Sequence, residues 1–97
     1  MIYEWDPSKA AANLKKHRVS FREAVTVFLD PFAITFDDPE HSVDERRFVT
    51  IGTSAKHRVV FLAHADRGED RIRIISARTA TRTERHAYQE TARTQQD

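Results

Sequence analysis

Arg71-Ile72-Arg73-Ile74-Ile75-Ser76-Ala77-Arg78 predicts a β-strand, because β-branched isoleucines suit a pleated, half-buried surface. Strict alternation separates the side chains into two sets, Ile72, Ile74, Ser76 and Arg78 on one face and Arg71, Arg73, Ile75 and Ala77 on the other. An unpaired arginine is costly to bury, so we expect Arg73 to reach a wet cleft or a carboxylate and Arg78 to mark the strand's end. The planar guanidinium suits phosphate, and the strand therefore predicts a phosphate-binding surface. A solvated or salt-bridged sheet face is the alternative.

Four further strands are predicted before it, at residues 1–5, 32–36, 45–52 and 58–64. The first is a short edge strand, and the second alternates with Phe32, Ile34 and Phe36 pointing inward. A turn at 66–69 returns the chain as a hairpin in which His64 faces Arg71 and Leu62 faces Arg73. A slip of one residue would move His64 to the isoleucine face instead.

Three helices complete the pattern. Asp6 and Pro7 begin a helix over 8–17, in which Ala10, Ala11 and Leu14 form a thin apolar stripe and Asn13 and Lys16 lie on the polar side. Ser20 and Glu23 form a capping box that begins the second helix, and Thr81 and Glu84 form another that begins the last.

The order of elements predicts an α+β fold: a mainly antiparallel sheet, made of a short N-terminal strand plus a four-strand meander, with two N-terminal helices and one C-terminal helix. Ninety-seven residues suffice for one domain, which we place at residues 1–93, and we expect residues 94–97 to fray.

Composition restricts the classes of function. The chain has no cysteine, so thiolate metal sites and disulfides are excluded. Its longest apolar run, residues 59–63, is too short for a membrane span, and its N-terminus lacks the pattern of a signal peptide, so a soluble cytoplasmic protein is expected. The net charge of +1 hides an acidic segment at 30–45 and an arginine-rich segment at 71–93. The basic segment could attract either a polyanion or an acidic protein.

The predicted hairpin brings a histidine near arginines, and Glu45 at the start of a neighbouring strand can add a carboxylate. These are sufficient parts for metal-independent RNA cleavage, which needs a base, an acid and cations for the charged phosphorane. No cofactor is expected, and the acidic loop at 37–44 matches no calcium-binding spacing. Taken singly, His64 is more often a satisfied strand-end histidine, Glu45 a salt-bridge partner and Tyr88 a packing residue.

The chain resembles the BrnT family of toxins over nearly its whole length. The motifs that carry the resemblance are Glu4-Trp5-Asp6-Pro7-Ser8-Lys9, Asn13-Leu14-Lys15-Lys16-His17, Val19-Ser20-Phe21-Arg22-Glu23-Ala24, Val27-Phe28, Glu45-Arg46, Ile51-Gly52, the strand at 71–78, Glu84-Arg85 and Tyr88. It departs from the family at Arg18, where glycine is usual after Lys-His.

The resemblance implies a metal-independent endoribonuclease toxin of a type II toxin–antitoxin system, with a RelE-like fold, that inhibits translation. It implies a BrnA-like ribbon-helix-helix antitoxin as partner, in a toxin2–antitoxin2 complex that contacts operator DNA only through the antitoxin. By position, the catalytic candidates are Arg73 and Arg78 for phosphate and His64, Glu45 and His17 for proton transfer. The candidates for RNA binding are Lys16, Arg46, Arg47, Arg71, Arg82 and Arg85.

The alternative hypothesis is a non-catalytic binding module of the RelE superfold, either a gyrase-type poison or an operon co-repressor. Direct DNA binding through residues 71–93 is weaker, because the net charge is near neutral and no recognition helix stands out.

Overall fold

The sheet contains five strands in the order β1-β5-β4-β3-β2. The structure is a computed structural model and describes residues 1–96. The strands are β1 (Ile2–Glu4), β2 (Ile34–Asp37), β3 (Arg47–Thr53), β4 (Val59–Asp66) and β5 (Arg71–Thr79). β1 runs parallel to β5 and all other neighbouring pairs are antiparallel. The predicted strand at 71–78 is therefore an inner strand, and it joins the N-terminal strand to the meander.

The helices are α1 (Pro7–His17), α2 (Phe21–Val25) and α3 (Arg82–Gln96). Two short 3-10 segments, Thr26–Leu29 and Pro39–His41, follow α2 and β2. The α+β class with a mostly antiparallel five-stranded sheet is confirmed. Residues 94–96, which were expected to fray, lie within α3, and Asp97 is outside the described residues.

The sheet has two unequal faces. The first face carries α1 and α2 over the larger core, made of Val19, Phe21, Ala24, Val27, Val60, Leu62, Ile74 and Ala77. The second face carries α3, which contributes Tyr88 to a smaller cluster with Val49 and Ile51. Less apolar surface covers the second face, and the candidate site lies there.

Asn13 attaches α1 to the sheet, although the sequence placed it on the polar side. Its Nδ2 donates to the carbonyls of Val19 (2.9 Å) and Ala77 (2.8 Å), and its Oδ1 accepts from the Ala77 N–H (3.1 Å). The expected apolar stripe is partly wrong, because Ala11 and Leu14 are exposed. The Asn13 amide satisfies buried backbone groups and so holds α1 on the sheet, in place of the apolar contacts expected of Ala11 and Leu14.

The capping box predicted for α2 forms only in part. Ser20 accepts from the Glu23 N–H at 3.0 Å, as an N-cap should. The Glu23 carboxylate instead turns inward, where it binds Arg58 and accepts from the Ser54 hydroxyl at 2.7 Å. Arg58 also donates to the carbonyl of Arg18, which ends α1 in the left-handed conformation with φ of 60°. Helices commonly end with glycine in this conformation, because glycine has no Cβ to make it unfavourable.

The hairpin register predicted from sequence is wrong. His64 pairs with Ile74 and Ala65 pairs with Arg73, and a β-bulge lies next to Ala63 and His64. Ile75 is the extra residue of β5, because Ile74 and Ser76 both have partners. The bulge reverses the alternation, so Arg73 and Arg78 lie on the same face and not on opposite faces.

Candidate active site

Glu45 is surrounded by three arginines on the second face of the sheet. Its Oε1 accepts a hydrogen bond from Arg73 Nη2 and lies 3.4 Å from Arg47 Nε, while its Oε2 lies 3.5 Å from Arg67 Nη1. The register explains the arrangement, because Arg47 and Arg73 both pair with Ala65 of the central strand β4. Two strand spacings separate them by about 10 Å, a gap that a glutamate just before β3 can bridge.

These residues line an open groove of about 490 Å³. Its lining residues are Glu40, His41, Val43, Asp44, Glu45, Arg47 and Arg73. Among the described residues, the Nε–H groups of Arg47 and Arg73 are buried and make no well-aligned hydrogen bond, although Arg47 Nε lies within ion-pair distance of Glu45. Guanidinium groups with unused donors are suited to binding an anion.

His41 also belongs to this candidate site, although the sequence did not single it out. It ends the 3-10 segment Pro39–His41, lines the groove, and keeps its ring exposed. Its Nδ1 lies 2.9 and 3.0 Å from the two carboxylate oxygens of Asp38. A carboxylate at Nδ1 fixes the ring's orientation and leaves Nε2 available for proton transfer. The spacing Asp-x-x-His, formed by Asp38 and His41, is the signal in the sequence. Its position beside the arginines is known only from the fold.

His64, proposed from sequence for proton transfer, lies on the first face of the sheet, opposite the groove. It is only 4% exposed, packs against Phe28 and Phe48, and is 2.7 Å through Nε2 from the Thr50 hydroxyl. Burial lowers the pKa of its imidazole to about 4. A neutral histidine enclosed by aromatic rings cannot reach a substrate, so the predicted cluster of His64 with Arg71 and Arg73 does not form.

A model of the family described as "Ribonuclease toxin, BrnT, of type II toxin-antitoxin system" matches residues 5–84. The chain belongs to the BrnT family. The fold agrees with this assignment: the crystal structure of the Brucella abortus ribonuclease toxin BrnT matches with a TM-score of 0.66 and 20% sequence identity, covering 84% of this chain and 100% of that chain. A search of curated proteins found no match. Membership of the BrnT family implies ribonuclease activity and an antitoxin as partner.

Arg78, the second phosphate ligand inferred from the BrnT resemblance, lies elsewhere on the same face. Its guanidinium donates to both carboxylate oxygens of Glu84 (2.8 and 2.9 Å) and lies 4.0 Å from the centre of the Phe61 ring. Hydrogen bonding to Arg78 lowers the pKa of Glu84. Arg78 is five residues from Arg73, or about 16 Å along the strand, so the two cannot hold one phosphate together.

The remaining residues proposed for this BrnT family member are scattered. His17 and Lys16 end α1, in the helical layer over the first face. Arg46 extends over Phe48 and pairs with Asp37 at 3.2 Å, and Arg71 lies 3.6 Å from Glu4. Of the predicted set, Arg47, Arg73 and Glu45 meet in the groove described above.

Arg82 and Arg85 lie on the outer surface of α3, in a shallow groove of about 380 Å³ with His86. Neither arginine is in an ion pair within the described part of the chain. None of the described helices of this BrnT family member is long and apolar enough to cross a membrane. Within residues 1–96, no group of three or more histidine, aspartate or glutamate side chains is arranged to hold a metal ion.

Proposed function

We propose that this chain is an endoribonuclease toxin that cleaves RNA, without a metal ion, in the groove beside Glu45. The observation that carries the proposal is the pair of buried Nε–H groups, on Arg47 and Arg73, that make no well-aligned hydrogen bond and lie beside a carboxylate and an exposed histidine. A phosphodiester is the anion that single-stranded RNA would bring to these donors.

In the proposed reaction, the ribose 2′-hydroxyl attacks the adjacent phosphorus. The new bond joins O2′ to phosphorus, the bond from phosphorus to O5′ breaks, and the products carry a 2′,3′-cyclic phosphate and a 5′-hydroxyl. Arg47 and Arg73 bind the phosphate and stabilise the charge that develops on the phosphorane. Fixed donors of this kind typically contribute about a hundredfold to a thousandfold in rate.

Two groups lining the groove are assigned the proton transfers. Glu45 accepts the proton of the 2′-hydroxyl once the incoming phosphate replaces it on Arg73, and His41 donates a proton to the departing O5′. The contact of His41 with Asp38 supports this role, because it holds the ring in one orientation. Arg67, which faces the other oxygen of Glu45, keeps that carboxylate within the groove.

The test is RNA cleavage by purified protein in the presence of a chelator, with the 2′,3′-cyclic ends mapped. We expect Arg73→Gln to lower kcat at least about a hundredfold without changing the far-UV circular dichroism spectrum of the protein. Arg93→Gln is the matched control, since Arg93 lies on α3 with its side chain 75% exposed, and it should retain the parent's rate. Cleavage by Arg73→Gln at the rate of the parent would refute the assignment.

The biological setting follows from the family. We infer a RelE-like fold, action in the cytoplasm through inhibition of translation, and neutralisation by a BrnA-like ribbon-helix-helix antitoxin in a toxin2–antitoxin2 complex that reaches operator DNA through the antitoxin. If the parent protein cuts no RNA, with or without ribosomes, the alternative of a non-catalytic binding module replaces the nuclease.

A further inference from the structure

A second, apolar groove lies on the same face as Glu45, between the sheet and the start of α3. Its volume is about 490 Å³. Val49, Ile51 and Phe61 come from the strands β3 and β4, while Phe36 and Ala87 come from β2 and α3. Its polar rim consists of Asp37, Asp38, His41, Thr83 and Glu84.

Phe36 is the unusual member of this groove. It pairs with Val49 and so shares the second face, as the sequence predicted, but its side chain remains 50% exposed. The sequence prediction of a buried Phe36 is wrong because α3 covers the central strands and leaves the edge strand β2 open. Phe36 therefore presents aromatic surface to the groove, where it has no function in packing the core.

The apolar groove continues directly into the groove beside Glu45. His41 lines both of them. Arg47 and Val49 are successive residues on the same face of β3, so about 7 Å of strand separates the arginine cluster from the floor of the apolar groove. A nucleotide whose phosphate contacts Arg47 would therefore have its base, or that of its neighbour, at Phe36.

The carboxylates at the rim are directed elsewhere. Asp37 pairs with Phe48, so its carboxylate lies on the first face of the sheet, beside Arg46. Asp38 holds the ring of His41, and Glu84 is bound to Arg78. The groove therefore offers a ligand an apolar, aromatic surface, which suits the face of a nucleobase.

We propose that the apolar groove is a base-binding subsite in which Phe36 stacks on the base next to the scissile phosphate. The inference rests on the proposed ribonuclease function and adds to it the place where that base is held. Single-stranded RNA is generally bound in this way, by stacking of splayed bases on aromatic side chains.

The experiment uses deoxyoligonucleotides that contain one ribonucleotide, with the base of the ribonucleotide or of either neighbour present or absent. We expect removal of the stacked base to lower the parent's kcat/KM about tenfold. Phe36→Ala should lower kcat/KM on the intact substrate by about as much and should be insensitive to removal of that base, and Phe36→Tyr should restore the parent's behaviour. Leu29→Ala is the matched control, an 83% exposed apolar residue outside both grooves.

Cleavage by Phe36→Ala with the parent's dependence on the stacked base would overturn the subsite and leave the nuclease intact. Binding of fluorescent 2′-O-methyl oligonucleotides, which cannot be cut, separates the two proposals. Base-dependent binding that Phe36→Ala abolishes, with no cleavage by the parent, would refute the nuclease and support the subsite. Loss of antitoxin binding in Phe36→Ala with unchanged RNA binding would identify the groove as a protein-docking surface and overturn the proposal.

Discussion

At the scale of single residues, Asn13 joins parts of the chain that are far apart in sequence. Its three hydrogen bonds satisfy the backbone of β5 and of the segment after α1 in a buried position. Removing the amide leaves one buried N–H and two buried carbonyls without partners, and each such loss is unfavourable.

We therefore expect Asn13→Ala to lower the free energy of unfolding by about 3 kcal/mol. Urea unfolding followed by circular dichroism measures this change. Lys9→Ala, at an exposed position of the same helix, should change it by less than about 0.5 kcal/mol. Equal effects of the two substitutions would contradict the role given to Asn13.

His64 makes stability depend on pH. Burial lowers the pKa of its imidazole from 6.5 to about 4 in the folded protein, so protonation favours the unfolded chain. The contribution of neutral His64 to the free energy of unfolding is complete above pH 6.5, the pKa in the unfolded chain, and is lost as the pH falls to about 4. The total loss is about 3 kcal/mol.

The measurement is the free energy of unfolding between pH 4.5 and pH 6.5, above the ordinary carboxyl pKa values. Glu23, Asp30 and Glu84 have lowered pKa values and lose their contributions only below the ordinary carboxyl pKa values of 3.8 and 4.5. His64→Gln, which does not titrate, should show a flat profile above these values. A slope equal to that of the parent would show that another group is responsible.

At the scale of elements, α3 depends on a small number of contacts. Glu84 closes the capping box with Thr81, whose N–H donates to it at 2.8 Å, and binds Arg78 at the same time. Further along, the Tyr88 hydroxyl donates to Asp30 and lies 2.9 Å from the Thr53 hydroxyl. Burial raises the pKa of Tyr88, which therefore stays protonated as a donor.

We expect Arg78→Ala to destabilise the protein by about 1–2 kcal/mol, because it removes a bidentate ion pair and the contact with Phe61. Hydrogen exchange should show loss of protection confined to α3. Arg93→Ala removes only the exposed pair with Glu90 and should cost a few tenths of a kcal/mol. Unchanged protection of α3 with loss of RNA cleavage would instead make Arg78 the phosphate ligand that the sequence suggested.

Local patterns predicted most of these elements. Caps at Asp6, Ser20 and Thr81 marked the starts of the helices, because capping depends only on residues within one turn. The register of β4 against β5 was not predictable in the same way, because the bulge at Ile75 inserts a residue that leaves no sequence signal. That one residue decides which face receives Arg73, because β4 alternates regularly through His64.

At the scale of the whole molecule, the location of charge matters more than its sum. The net charge is only +1, but three arginines converge on Glu45. The sequence predicted that Arg73 would reach a carboxylate, and the structure confirms it. The positions of His41 and Arg67 at this site depend on loops between strands, whose paths are set by contacts far along the chain.

RNA binding should therefore depend on salt only moderately. With two phosphate-binding arginines, Arg47 and Arg73, the logarithm of the affinity for a short single strand should fall with the logarithm of salt concentration at a slope of roughly −1.4. Arg47→Gln should reduce the magnitude of that slope by about 0.7. Fluorescence titration over a range of salt measures both values, and a slope unaffected by Arg47→Gln would place the phosphate contacts elsewhere.

The carboxylate among the three arginines also bears on how the protein would release what it has cut. Glu45 is tethered beside Arg73, so its effective concentration there greatly exceeds that of any diffusing anion. A cleaved RNA makes fewer contacts than the intact one, so Glu45 displaces it from Arg73 more readily. Glu45 therefore weakens the initial binding of RNA but speeds the release of product, which favours the cleavage of many RNA molecules by one protein.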